Sequence, residues 1–237
     1  MNSEILKSIR DAEKESHIEI YSTARLFESG SWLQKPVKTV IDLLDHFDDR
    51  SRLDVLDLGC GVGRNCIPIA QKFRNIPCCI DCIDILDFAI DELNNNSINF
   101  GVEKEINGIV SSIDEFKIPE NRYDLIISVS ALEHINSEIA FIEKLKETEK
   151  GTRKNGMVCL IINSEITEIH KESRQKLIPQ FEVNLKTEKL LEILNETFGG
   201  WETIKTSVRN QQYDIPRKNC ISELTTDVVT FVAKNNK

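Results

Sequence analysis

The stretch LDVLDLGCGVGRN, Leu53 to Asn65, decides how the rest of this chain is read. Apolar positions run into Asp57, and then Gly59, Gly61 and Gly63 alternate with other residues. A chain does this where it leaves a buried strand and turns so tightly that its backbone comes close to a neighbour or a ligand. The pattern therefore predicts a strand over Leu53–Leu58, a glycine turn, and a helix over Arg64–Phe73, with Pro68 tolerated only near the first turns of that helix.

Working outward, apolar runs and helical periodicities alternate. A second strand is read at Cys78–Ile83, a second helix at Leu86–Asn96, a third strand at Asn107–Ser111 and a fourth at Tyr123–Ser130. Asn136 is positioned to cap a helix carrying Ile139, Ile142 and Leu145 inward. A fifth strand, Gly156–Ile162, precedes a polar stretch and a helix through Leu190, Leu191, Leu194 and Phe198. Trp201–Val208 and Thr226–Ala233 alternate like antiparallel strands. Upstream, Val37, Val40, Ile41, Leu44 and Phe47 share one helical face. Strands separated by helices imply parallel crossovers and a sheet covered on both faces.

Bulk properties bound the function. The chain has 237 residues, 40% of them hydrophobic, enough for a sizeable core. Its formal net charge is −9, with basic residues scattered among acidic ones, which argues against a nucleic-acid partner. No apolar run approaches the roughly 20 residues that would span a bilayer, and the N-terminus lacks the apolar centre of a signal peptide. The seven cysteines mostly fall in strand-like runs, and Cys79 and Cys82 have no second ligand pair, so no metal site is read. These features predict a reduced, cytoplasmic protein, monomeric or homodimeric, with no membrane or nucleic-acid partner.

The glycine turn admits two cofactor readings. A dinucleotide fingerprint would be G-x-G-x-x-G; aligned on Gly59 and Gly61, it places Arg64 at the third glycine, where its bulk would obstruct strand–helix packing. Asp57 beside the turn would repel a phosphate, whereas an ammonium or sulfonium group would welcome it.

With these residues in view, the sequence resembles the class I S-adenosylmethionine-dependent methyltransferases. VLDLGCGVGRN resembles that family's first motif, CIDI its acidic second motif, FKIPENRYDLIISVSALEHI its strand-four segment, and RKNGMVCLII the glycine turn and strand beyond. The closing GWETIKTSVRN and VVTFVAKNNK are similar to small-molecule members, the tellurite-resistance type among them. The resemblance implies an α/β, Rossmann-like three-layer α/β/α sandwich. Its sheet would have seven mostly parallel strands and an antiparallel last strand. It implies one such domain over residues 36–237, with a substrate-side insertion around 164–186 and a helical lid segment over 1–35. Transfer of a methyl group from S-adenosyl-L-methionine to a small-molecule acceptor follows, S-adenosyl-L-homocysteine being the product. A non-catalytic S-adenosylmethionine-binding protein on the same fold is the alternative.

The resemblance also implies the cofactor residues. Asp57, Gly59, Cys60, Gly61 and Gly63 form the turn, Asp84 takes the ribose position with Ile85 beside it, and Ser112, Ile113 and Ser128 complete the set. Ser112 stands where the family commonly has an acid, and Asp114, two residues later, is the other candidate at the adenine. Glu133 and His134 follow strand four at the mouth of the site; His134 is a candidate general base, and both residues can equally orient the next loop. His170 reads as part of a solvated helix face. Tyr21, Arg25 and Trp32 either close over the cofactor or pack the N-terminal segment.

Overall fold

Leu53–Leu58 (β1) is buried at all six positions in the computed structural model. That is the environment of a central parallel strand covered on both faces. The structure describes residues 18, 20–217 and 220–237. A short helix, Lys38–Leu43 (α1), precedes β1. After it come Cys66–Phe73 (α2), Cys78–Asp84 (β2), Asp87–Asn99 (α3), Ile106–Val110 (β3) and Tyr123–Val129 (β4). Glu138–Gly151 (α4), Thr152–His170 (β5), Lys176–Leu177 (β6), Thr187–Thr197 (α5), Glu202–Arg217 (β7) and Cys220–Lys234 (β8) complete the order.

The sheet runs β3-β2-β1-β4-β5-β8-β7, with the short β6 paired to β5 outside this path. β1 pairs in parallel with β2 and β4, and β4 with β5. β8 runs antiparallel to both of its neighbours. Helices α1, α2 and α3 bury Val40, Ile67, Ala70 and Leu93 against one face of the sheet. Helices α4 and α5 bury Phe141, Leu145, Leu190 and Leu194 against the other. The mostly parallel sheet between two helical layers is the fold the sequence implied, enlarged by β6. From β1 the chain winds outward to β3 and then returns to β4 on the other side of β1. This reversal opens a crevice at the carboxyl ends of β1 and β4, where ligands bind in such sheets.

Two readings of local structure change. The α4 cap is Ser137, whose hydroxyl accepts from the Ala140 N–H at 3.2 Å. The buried face of α4 is Phe141, Lys144, Leu145 and Thr148, while Ile139 is 72% exposed. Polar residues interrupt this stripe in the sequence, but their polar atoms are satisfied locally: Lys144 Nζ donates to the Phe116 carbonyl at 2.5 Å, and Thr148 Oγ1 to the Lys144 carbonyl at 2.9 Å. In addition, β5, β7 and β8 extend well past the apolar segments that announced them. His170 ends β5 and caps a turn by accepting from the Glu172 and Ser173 N–H groups, both at 3.2 Å; it does not lie on a helix.

Candidate functional site

The glycine turn sits at the carboxyl end of β1. Gly59 adopts φ 77°, and a Cβ there would collide with the Cβ of Ala131, so the loop after β4 closes directly on the turn. Gly61 adopts φ 52°, and a Cβ there would stand 2.8 Å from the Tyr21 hydroxyl. Both positions combine a left-handed backbone with no room for a side chain. Asp84, ending β2, fixes the turn: Oδ2 accepts from the Gly61 N–H at 2.9 Å and Oδ1 from the Leu86 N–H at 3.0 Å. A carboxylate oxygen can accept more than one hydrogen bond.

Beneath the turn lies Asp57, 1% exposed, with Oδ2 buried and lacking a hydrogen-bond partner. Burial pushes its carboxyl up to about 7, the negative charge of Asp84 adds to this, and the Arg64 guanidinium opposes it. A buried carboxyl with an unused oxygen, next to a second carboxylate, is a setting that a cation stabilises.

Arg64 holds the N-terminal segment in place. Its guanidinium lies 4.7 Å from the Trp32 ring centroid, and one nitrogen donates to the Trp32 carbonyl at 3.1 Å. Trp32 in turn meets Tyr21 edge to face at 6.0 Å. Arg25 instead pairs with Glu28 at 3.7 Å on the exposed surface.

Tyr21, Trp32, Gly59, Gly61, Arg64 and Asp84 line a cavity of about 850 Å³, within the range of small-molecule sites. The floor at its far side is one row of sheet residues, Val129, Ile161, Thr230 and Ser207, aligned across β4, β5, β8 and β7. His134, in the 3-10 turn Leu132–His134, lines the cavity with its ring stacked on Phe181 at 4.9 Å. Its Nδ1 lies 3.1 Å from Oε2 of the buried Glu182.

Comparison with known proteins bears on this geometry. Residues 55–156, from β1 to the start of β5, match the family described as methyltransferase domain. That segment is similar to methyltransferase domains. Over 194 residues the chain is 27% identical to malonyl-[acyl-carrier protein] O-methyltransferase of Acetivibrio thermocellus, covering 76% of this chain and 63% of that enzyme. The chain spans less than two thirds of the length of the curated relatives it matches. Among solved structures, TehB of Haemophilus influenzae superposes with a TM-score of 0.60 at 19% identity, over 82% of this chain and 61% of TehB. A Burkholderia thailandensis 1,6-didemethyltoxoflavin-N1-methyltransferase, solved with S-adenosylhomocysteine, gives 0.58 at 13% identity over 99% of this chain and 89% of that one. At these identities the superpositions establish the fold.

Within the matched segment, Gly59, Cys60, Gly61, Asp84, Ile85, Ser112, Ile113 and Asp114 all line the cavity. Ser112 and Asp114 both have local work: Ser112 Oγ accepts from the Glu115 N–H at 3.2 Å, and Asp114 Oδ1 from the Asn136 N–H at 3.1 Å. Four candidates do not line it, the first being Asp57, buried beneath the turn. Ser128 is buried and donates to the Leu58 carbonyl at 3.0 Å, tying β4 to β1 away from the cavity. Gly63, φ 100°, packs against Ile67 and Leu93 of the helix layer. Glu133 is buried off the cavity, and its Oε1 accepts from the backbone N–H and side-chain amide of Asn163 on β5. Its role is to fasten the loop behind His134.

Cys79 and Cys82 are three residues apart on one strand and so project to opposite faces of the sheet. Burial pushes the Cys60 and Cys159 thiols up to about 12, which keeps both protonated. Among the described residues, no helix is long and apolar enough to cross a membrane.

Proposed function

We propose that this chain transfers the methyl group of S-adenosylmethionine to a small-molecule acceptor. The observation that carries the reading is the paired acids at one glycine turn. Asp84 is anchored on the Gly61 N–H, and Asp57 is buried beneath with an unused oxygen. The acids suit a ligand with hydroxyl donors and a positive charge, and the side-chain-free backbone of Gly59 and Gly61 along the cavity suits its close approach. In this reading Asp84 takes the ribose hydroxyls, and Ser112 and Ile113 flank the adenine. Asp57 sits beneath the turn as the counter-charge to the amino acid end.

S-adenosylmethionine supplies a methyl carbon already activated by its sulfonium. What remains for the chain is alignment and exclusion of water. Tyr21, Trp32 and Arg64 close the cavity above the turn, and we assign residues 20–34 as a lid; residues 1–17 of the segment expected there lie outside the described residues. If Nδ1–H donates to Glu182, His134 presents Nε2 as the basic nitrogen that takes a proton from an incoming hydroxyl or amine. The seven free thiols suit a reducing compartment, and we place the enzyme in the cytoplasm.

A coupled assay for S-adenosylhomocysteine release over a small-molecule library, with calorimetry of S-adenosylhomocysteine binding, tests the reading. Turnover of at least one acceptor is the expected result. Tight binding with no turnover across the panel would favour the non-catalytic alternative, and no binding would overturn the cofactor assignment.

A further inference from the structure

Away from the glycine turn, the cavity wall belongs to the edge strand β7. Its residues alternate, and Lys205, Ser207, Arg209, Gln211 and Tyr213 all line the cavity. Two cations on this wall lack an anionic partner among the described residues. Lys205, half-buried, donates from Nζ only to the neutral Thr39 hydroxyl at 2.9 Å. The exposed Arg209 side chain makes no ion pair and no hydrogen bond among the described residues. The carboxylate on the opposing helix, Asp42, is already paired with Lys38 at 2.6 Å.

This arrangement runs against the rest of the molecule. The chain carries 39 acidic and 30 basic residues, yet β7 presents two cations and no carboxylate to the cavity. A partly desolvated ammonium is costly unless paired. A neutral acceptor would leave Lys205 with a hydroxyl alone, and a cationic acceptor would be repelled. Four residues of strand separate Lys205 from Arg209, roughly 13 Å, and Ser207 lies between them on the floor row. Side chains of that length can reach a common group above Ser207.

We propose, building on the function proposed above, that the acceptor carries an anionic group, a carboxylate or a phosphate, and that Lys205 and Arg209 hold it over Ser207. The acceptor is thereby oriented with its charged end on β7 and its nucleophilic atom toward the glycine turn and His134. Specificity then lies in the charge of the acceptor, read at the opposite end of the cavity from the methyl transfer.

The test uses the full chain loaded with S-adenosylhomocysteine and titrated at low salt with benzoate, phenyl phosphate and the neutral benzamide. At least one anion should bind tenfold or more tightly than benzamide, and the anion preferred shows which group the site takes. The preference should weaken as salt rises. It should vanish in the K205Q/R209Q double variant, return in K205R, and leave S-adenosylhomocysteine affinity within about twofold. Equal binding of all three probes, no detectable anion binding, or a double variant that keeps the preference would overturn the proposal. If the wild type does not bind S-adenosylhomocysteine, the cofactor reading fails. The same titrations on the unloaded chain then decide the anion site on its own.

Discussion

The Gly61 N–H donates to Asp84 Oδ2 at 2.9 Å, so the turn that leaves β1 is fastened to the end of β2 by a charged hydrogen bond. Asp84 thus shapes the cradle as well as facing the cavity. Hydrogen bonds to charged groups contribute roughly 1.5–3 kcal/mol each, and about 1.4 kcal/mol is tenfold in affinity. Asp84→Ala should therefore weaken S-adenosylhomocysteine binding about a hundredfold or more by calorimetry. Asp81 supplies the control. It accepts from Asn107 and Tyr123, both at 2.8 Å, outside the cavity, so Asp81→Asn should lower the melting temperature and spare affinity. Equal affinities for Asp84→Ala and wild type would remove the acid from the site.

Gly61→Val meets two obstacles, the φ of 52° and the Tyr21 hydroxyl. Affinity for S-adenosylhomocysteine should fall more than a hundredfold, while circular dichroism shows a folded protein with a reduced melting temperature. Tyr21→Ala relieves only the contact, so the double variant should regain stability without regaining full affinity. Wild-type affinity in Gly61→Val would mean that no ligand approaches the turn.

The pairing of His134 with Glu182 separates turnover from binding. If His134 takes the proton, His134→Ala should lower kcat on a hydroxyl or amine acceptor by roughly 10²–10⁴. Affinity for S-adenosylhomocysteine should be unchanged. Glu182→Gln should lower kcat less, because it leaves the imidazole but loosens its orientation, and its pH–rate profile should move relative to wild type. Full turnover in His134→Ala would reduce the ring to a wall of the cavity.

Asp57 predicts a pH dependence of stability. Burial pushes its carboxyl up to about 7 in the folded chain, against about 3.9 when unfolded. The folded state then holds more protons between these values, so stability is greatest below about pH 4 on account of this group and declines as pH rises towards 7. Melting temperatures of wild type should fall across pH 5 to 7 relative to Asp57→Asn, whose curve lacks this component. Parallel curves would show that the carboxyl titrates normally.

How much of this was readable depends on where polarity sits. The strands β1 and β4 announce themselves because both of their faces are packed, leaving mainly apolar runs broken only by Asp54, Asp57, Asp124 and Ser128; the partly buried β2 shows by its shorter run of cysteine and isoleucine ended by Asp84. The far halves of β5 and β8 do not. Their buried positions include Ser164, Glu168, Ser222 and Thr226, which are satisfied by each other, by Arg217 or, for the Ser164 hydroxyl, by Thr187 and the Asp227 carbonyl, and so read as loop. Glu182 was hidden for a different reason. It lies 48 residues beyond His134 in a segment without periodicity, and only the fold brings the two side chains together. The aromatic pair Tyr21 and Trp32 was visible, but Arg64, the residue that argued against a dinucleotide, gave no sign that it would clasp Trp32.

The edge position of β7 has a consequence for change over time. One side of this strand is bonded to β8 and the other ends the main sheet, so exchanging its cavity-facing side chains disturbs no strand beyond it. The glycine turn, by contrast, is wedged among β1, β2 and the loop after β4, where a single added methyl group at Gly59 collides with backbone-anchored atoms. Descendants of this chain can therefore recast one wall of the cavity by altering alternate letters of one outer strand, while the glycine turn stays frozen by its neighbours.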